Sequence, residues 1–204
     1  MSVLNKDGLV YTVIISVVSA FLFVFLLSLA HGATKGKVEE NQKLTEARAY
    51  LVAAGIEVDE DIDIEAVFNT NFPKFDAEST YQTTTVNGKS VVVSPFQGNG
   101  LWGTITGVLG MTADLQRIVG FEIVSHVETP GLGGRIDEVW FKEQFKGEFA
   151  GNGIIVKHGG SGGDTDPDNG EVDGITGASR TSDSIQVIVN QQIDKIKLEL
   201  GGTN

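Results

Sequence analysis

Cysteine is missing from all 204 positions, which removes thiolate catalysis, iron–sulfur ligation through protein sulfur and structural disulfides. The absence leaves the compartment open, because a cysteine-free chain is at home on either side of a membrane. Basic residues are scarce. Fifteen Lys and Arg against 27 Asp and Glu give a formal charge of −12, so nucleic acid is not expected as a partner; phosphate backbones are bound through basic surface. Only three histidines occur (His31, His126 and His158), too far apart for metal-ligand spacing, and no metal site is expected. No internal repeat and no Cys-x-x-Cys-His haem motif is present. Hydrophobic residues are not lacking: at 41% they suffice for a packed core, and the length suits one compact domain plus an accessory segment.

One run has no charge at all. Residues 9–30 read LVYTVIISVVSAFLFVFLLSLA, about 33 Å as a helix, enough to cross a hydrocarbon core of roughly 30 Å. A cleaved signal peptide is the competing reading, and Ser28-Leu29-Ala30 has the small residues it needs. The run is about twice a signal peptide's apolar core, however, and the segment before it carries Lys6 and Asp7. A retained transmembrane helix is expected, behind a short tail at 1–8. Lys6 and the amino terminus compete with Lys35 and Lys37, so the positive-inside rule does not set the orientation.

Beyond it, Leu44, Ala47, Leu51 and Ala54 fit an amphipathic helix over residues 36–54, ended by Gly55. The acidic stretch 57–65 reads as a solvated loop, so residues 31–75 are expected to form a helical stalk and acidic linker. Residues 81–86 and 89–93 are β-rich and flank Asn87-Gly88, a strong hairpin signal. Strands are expected at 101–111 and 117–126 around a turn at 112–116. A short helix at 136–145, a strand at 153–157, a long Gly/Asp/Pro loop at 158–173 and a final helix carrying Ile185, Ile188, Val189, Ile193, Ile196 and Leu200 on one face complete the pattern. The fold class is α+β, with an antiparallel sheet and flanking helices.

Two stretches carry chemistry. Asp173-Gly174-Ile175-Thr176-Gly177-Ala178-Ser179-Arg180-Thr181-Ser182 opens the last helix. Gly177 and Ala178 allow close approach of a ligand to the backbone, Thr181 or Ser182 can cap the helix, and a helix start suits a phosphate. Read alone, it is equally a well-capped helix after a glycine turn. His126-Val127-Glu128-Thr129-Pro130-Gly131-Leu132-Gly133-Gly134 follows a strand and places Glu128 and Thr129 at its end; read alone, it is a tight turn. The alternating Asp164, Asp166 and Asp168 invite a calcium loop, but Asn169 and Ile175 stand where Gly and Glu are required.

Taken together with Gly98-Asn99-Gly100-Leu101-Trp102-Gly103 and Gln144-Phe145-Lys146-Gly147, in this order behind an apolar anchor, these residues resemble the FMN-binding subunits of two related respiratory complexes. One is the NqrC subunit of the sodium-translocating NADH:quinone reductase, toward which Gly-x-Gly-Leu-Trp-Gly and residues 42–56 lean. The other is the corresponding FMN-binding subunit of the Rnf ion-translocating complex, toward which the modest length leans. The resemblance makes residues 76–204 an FMN-binding domain, with no general acid or base of its own.

It further implies that a flavin transferase attaches FMN by a phosphoester bond to the last residue of Asp-x-x-Thr-Gly-Ala-Ser. That residue is Ser179 here, where the family usually has Thr. Asp173, Thr176, Gly177 and Ala178 belong to the recognised motif, and Arg180 and Thr181 adjoin the phosphate. Glu128, Thr129, Gly131 and Leu132 lie against the flavin ring, with Leu132 the apolar contact. Trp102 or Trp140 is a candidate to stack on it, though either also suits the core. The implied role is relay of single electrons between other membrane and flavoprotein subunits, in an inner membrane, with the domain on the outer, periplasmic side. A membrane-tethered flavin reductase and a flavin-free binding module are the remaining alternatives.

Overall fold

The structure, a computed structural model, describes residues 8–59, 61–159 and 162–201. Lys6, most of the tail at 1–8, Glu60 of the acidic stretch and residues 160–161 of the long loop lie outside the described residues. The chain divides into two compact units, one up to Lys43 and one from Leu44 onward.

The first unit is helical. Helix α1 (Leu9–Ala53) runs through both segments expected as separate helices. No proline interrupts residues 31–36, and Gly32 and Gly36 cost only about 1 kcal/mol each in a helix interior. Lys35 and Glu39 add an i,i+4 pair at 3.7 Å. The apolar stretch of α1 is long enough to cross a membrane, and none of it is buried. Phe21 and Phe25 stack on one another along its surface.

In the second unit, α1 ends in a Schellman motif. Gly55, at φ +80°, donates to Val52 O and Ile56 N–H donates to Leu51 O. Helix α2 (Ile64–Asn71) occupies part of the stretch expected as a loop. Asp63 caps it by accepting from Ala66 N–H at 3.1 Å, and Phe68 and Phe72 pack against Tyr50 of α1. Residues 44–75 are therefore part of this compact unit, in place of the expected stalk and linker. Buried Ala49, Tyr50, Leu51, Ala53 and Phe72 are the reason.

The sheet is antiparallel in the order β1 (Gln82–Val86), β2 (Lys89–Asn99), β3 (Thr104–Thr112) and β4 (Ile118–Ser125). Asn87 and Gly88 both take positive φ at the first hairpin, as a two-residue primed turn demands. Alternation divides the strands between two cores. Val91, Val93 and Val108 face α1 and α2; Val92, Phe96, Ile105, Leu109 and Phe121 face the last helix. Gly110 and Gly120 pair across β3 and β4 and admit the end of α1, since a Cβ on Gly110 would overlap the Ala53 carbonyl oxygen.

The helix expected at 136–145 is split. A 3-10 turn (Gly133–Asp137) precedes α3 (Val139–Glu143), because Glu138 between them is extended. The loop expected through residue 173 ends earlier: β6 (Glu171–Asp173) pairs in parallel with β5 (Ile155–Lys157). Helix α4 (Ser179–Gly201) then packs on β2, where a Cβ on Gly98 would overlap the Ile188 side chain.

Candidate functional site

Three segments distant in sequence meet at the start of α4. The first is the β2–β3 hairpin tip, closed by Gly100 N–H donating to Gly103 O at 2.8 Å, which holds Leu101 and Trp102 in solvent at 46% and 68% exposure. The second is the loop after β4. Its turn is built on the Thr129 carbonyl, which accepts from Leu132 N–H at 3.1 Å and Gly134 N–H at 2.9 Å around Gly131 at φ +74°. Leu132 is left 47% exposed. The third is the turn Ile175–Ala178 and the first residues of α4.

Glu128 joins all three. Its side chain is only 4% exposed, yet both carboxylate oxygens are used. Oε1 accepts from Trp102 N–H at 3.0 Å and Oε2 accepts from the Thr181 hydroxyl at 2.6 Å. The space is made by glycines. A Cβ on Gly100 would come within 2.5 Å of Glu128 Oε1, and one on Gly133 within 2.7 Å of Oε2. Behind the loop, Glu128 N–H donates to His126 Nδ1 at 3.0 Å, which places the ring proton on Nε2, facing Asp137 at 2.7 Å.

Glu128 and Thr181 are buried, and each satisfies the other's polar group, as burial of a polar group requires. Neither Thr181 nor Ser182 is the helix cap, because the helix already includes Ser179. Ser182 is instead buried in the first turn, where its hydroxyl accepts from Ile175 N–H and donates to Ala178 O.

Ser179, Arg180, Thr176 and Gly177 are exposed and lie together on the outer side of this turn, while Ala178 is buried. Gly177 takes φ +82°, open to glycine at no steric cost. An open groove of about 480 Å³ runs alongside, lined by Leu101, Arg180 and Val187 among others. That volume falls within the roughly 300–1,000 Å³ usual for small-molecule sites. Trp102 is at the site. Trp140 is not free to stack: it packs on the core, under the Arg135 guanidinium and against Phe141, with its N–H donated to Glu138.

Asp173 is fixed by Gln144, a residue for which the pattern of letters suggests no individual role. Buried Gln144 accepts through Oε1 from Asp173 N–H and Asp164 N–H, both at 2.7 Å, and donates to Asp173 O. The Asp173 carboxylate turns to Gly163 N–H at 3.2 Å. Gln144 opens the Gln-Phe-Lys-Gly motif, but only the fold shows what it holds. The loop aspartates are committed to structure: Asp164 accepts from Asp166 N–H, Asp166 from Asp168 N–H, and Asp168 pairs with Arg117.

The turn thus presents an exposed serine at a helix start, with the exposed apolar side chains of Leu101, Trp102 and Leu132 on the two neighbouring loops. Residues 100–194 match the family model described as the FMN-binding domain. Within that class, it is similar to the NqrC subunit of the Na(+)-translocating NADH-quinone reductase. The subunit from Neisseria meningitidis serogroup A is 37% identical over 97 residues, 47% of this chain and 37% of the relative. The Pseudomonas aeruginosa subunit is 31% identical over 127 residues, 57% of this chain and 47% of the relative. The matched segment thus spans less than half the length of these relatives.

Solved structures share the fold. The corresponding subunit from Parabacteroides distasonis superposes with a TM-score of 0.61 at 21% identity, covering 76% of this chain and 92% of that one. NqrC from Shewanella oneidensis does so with 0.58 at 19%, covering 78% and 99%. The α+β class with a flanked antiparallel sheet stands.

Proposed function

We propose that this chain is an NqrC-type electron carrier of a membrane-bound, sodium-translocating NADH oxidoreductase, holding FMN covalently on Ser179. The observation that carries the reading is Ser179, exposed in the first turn of a 23-residue helix whose Arg180 and Val187 line a groove, inside Asp-x-x-Thr-Gly-Ala-Ser. The names of the relatives favour this complex over Rnf.

Bound FMN supplies the redox chemistry, and the protein sets position, solvent access and potential. The α4 start offers backbone N–H groups without helical partners and the positive end of the helix dipole, worth about 0.3–1 kcal/mol toward a phosphate. Arg180 adds a cation on the same exposed surface. Leu132, Leu101 and Trp102 give the ring apolar neighbours, and Thr129 and Gly131 shape the loop that presents Leu132. Other membrane and flavoprotein subunits are the electron partners, a flavin transferase matures the protein, and the domain lies on the periplasmic side of the inner membrane.

The test is fluorescence of the denatured chain on a gel after expression with an active flavin transferase. The wild type and Ser179→Thr should give a fluorescent band and Ser179→Ala none. A dark wild type removes the flavoprotein reading. A fluorescent Ser179→Ala, with Thr176→Ala dark, moves the attachment to a neighbouring hydroxyl.

A further inference from the structure

We propose that Glu128 is a positioning residue for flavin attachment, one that acts through Thr181 to hold Ser179 outward; the proposal rests on the Ser179 reading above. A buried carboxylate is an expensive group, and such groups are ordinarily paired with a cation. Among the described residues no Lys, Arg or His side chain forms an ion pair with Glu128. Its two polar contacts are Trp102 N–H and the Thr181 hydroxyl. Two glycines, Gly100 and Gly133, are also used to make room for it.

What the carboxylate does follows from helix geometry. At about 100° per residue, positions 179 and 181 of α4 point to nearly opposite sides. Drawing Thr181 into the protein, at 1% exposure, therefore turns Ser179 to solvent. The first turn of a helix is where fraying is easiest, because its N–H groups have no partners within the helix. The Glu128–Thr181 bond closes that turn from outside the helix, and the Ser182 hydroxyl closes it from the preceding strand side through Ile175 N–H and Ala178 O. The Trp102 contact ties the hairpin tip to the same carboxylate, so groove wall, ring-facing loop and acceptor residue move as one piece.

In the transfer, Ser179 Oγ forms a bond to the flavin-side phosphorus of a flavin dinucleotide. The phosphoanhydride bond breaks, the nucleoside monophosphate leaves, and the hydroxyl proton passes to the transferase or solvent. A nucleophile held in one orientation gains most in such a step, since small misplacements cost large factors in rate.

The experiment measures labelling of the full-length, detergent-solubilised chain by a purified flavin transferase with flavin adenine dinucleotide as donor. Thr181→Val keeps shape and removes the donor hydroxyl; it should lower kcat for labelling at least tenfold while KM for the chain changes little. Thr181→Ser restores the hydroxyl and should recover the rate. Ile196→Ala, at the far end of the same helix, is the control for general instability and should label normally while folded. Thr181→Val labelling at the wild-type rate, or Ile196→Ala labelling as slowly as Thr181→Val, overturns the positioning role and leaves Ser179 as acceptor. A wild type that does not label overturns both.

Discussion

Leu132 Cδ2 stands 3.4 Å from the point a Cβ on Gly177 would occupy, so the Pro-Gly loop and the Ile175–Ala178 turn meet side chain to backbone. No residue but glycine at 177 combines φ +82° with that clearance at no strain. The contact puts Leu132 within reach of any group esterified two residues further on.

With FMN on Ser179 as proposed, replacing Leu132 by Asp should lower the flavin's midpoint potential, because the reduced form can be anionic and a neighbouring carboxylate opposes it. Two charges about 4 Å apart in water cost about 1 kcal/mol, on the order of 40 mV for one electron. Redox titration of a fully labelled variant reads the shift. An unchanged potential places the ring away from Leu132.

Gly110→Ala should destabilise the second unit by about 3 kcal/mol, since the added methyl overlaps the backbone oxygen of Ala53 and not a side chain that could rotate. Gly88→Ala is the comparison: its Cβ meets nothing within 4 Å, and only the strain of φ +75° is felt, about 1 kcal/mol. Urea midpoints of the two variants should separate clearly.

Glu148 gives a pH dependence. It is 2% exposed, and burial pushes its carboxyl above the ordinary value of 4.5, against the bonds from Gly170 and Phe149 N–H and with the help of Asp164 and Asp166. A raised folded-state value means that its contribution to stability is full below pH 4.5 and is lost as pH rises through the folded value. Glu148→Gln stays neutral and keeps the Oε1 acceptor for both N–H groups. Denaturation from about pH 4 to about pH 7 should show the wild type losing stability relative to Glu148→Gln as pH climbs; parallel curves would contradict it.

The apolar part of α1, with no share buried, should keep the protein in the membrane through carbonate washing and release it only with detergent. Protease added to intact spheroplasts should remove the second unit if it faces the periplasm. Digestion only after lysis would reverse the topology.

The elements easiest to read were those with strong local causes. The Asn87-Gly88 hairpin needs two positive φ values, Gly55 ends α1, and the Ile and Val stripe of α4 repeats every three or four residues. Helix α2 was hidden because eight residues with an acidic start look like a solvated loop until Phe68 and Phe72 are seen against Tyr50. Strand β6 was hidden because its partner β5 lies across a thirteen-residue connection with no hydrophobic pattern of its own. The segments around Ser179 and Leu132 were legible as motifs, whereas residues 101–103, expected to begin a strand, form the hairpin tip between β2 and β3. The inward turn of Glu128 and Thr181, and the bracket Gln144 makes around Asp173, were not legible, because motif letters do not say which way a polar side chain points.

Composition and local periodicity account for the uncharged apolar run, the acidic balance, the absence of thiol chemistry and the amphipathic last helix, while the attachment reading at its start came from resemblance to a family. That three loops far apart in the chain converge on one carboxylate came from the packed fold alone. The reason is physical: a buried oxygen takes its partners from whatever donors the packed sheet and helix bring within about 3 Å, and chain separations of 26 and 53 residues are invisible to any local pattern.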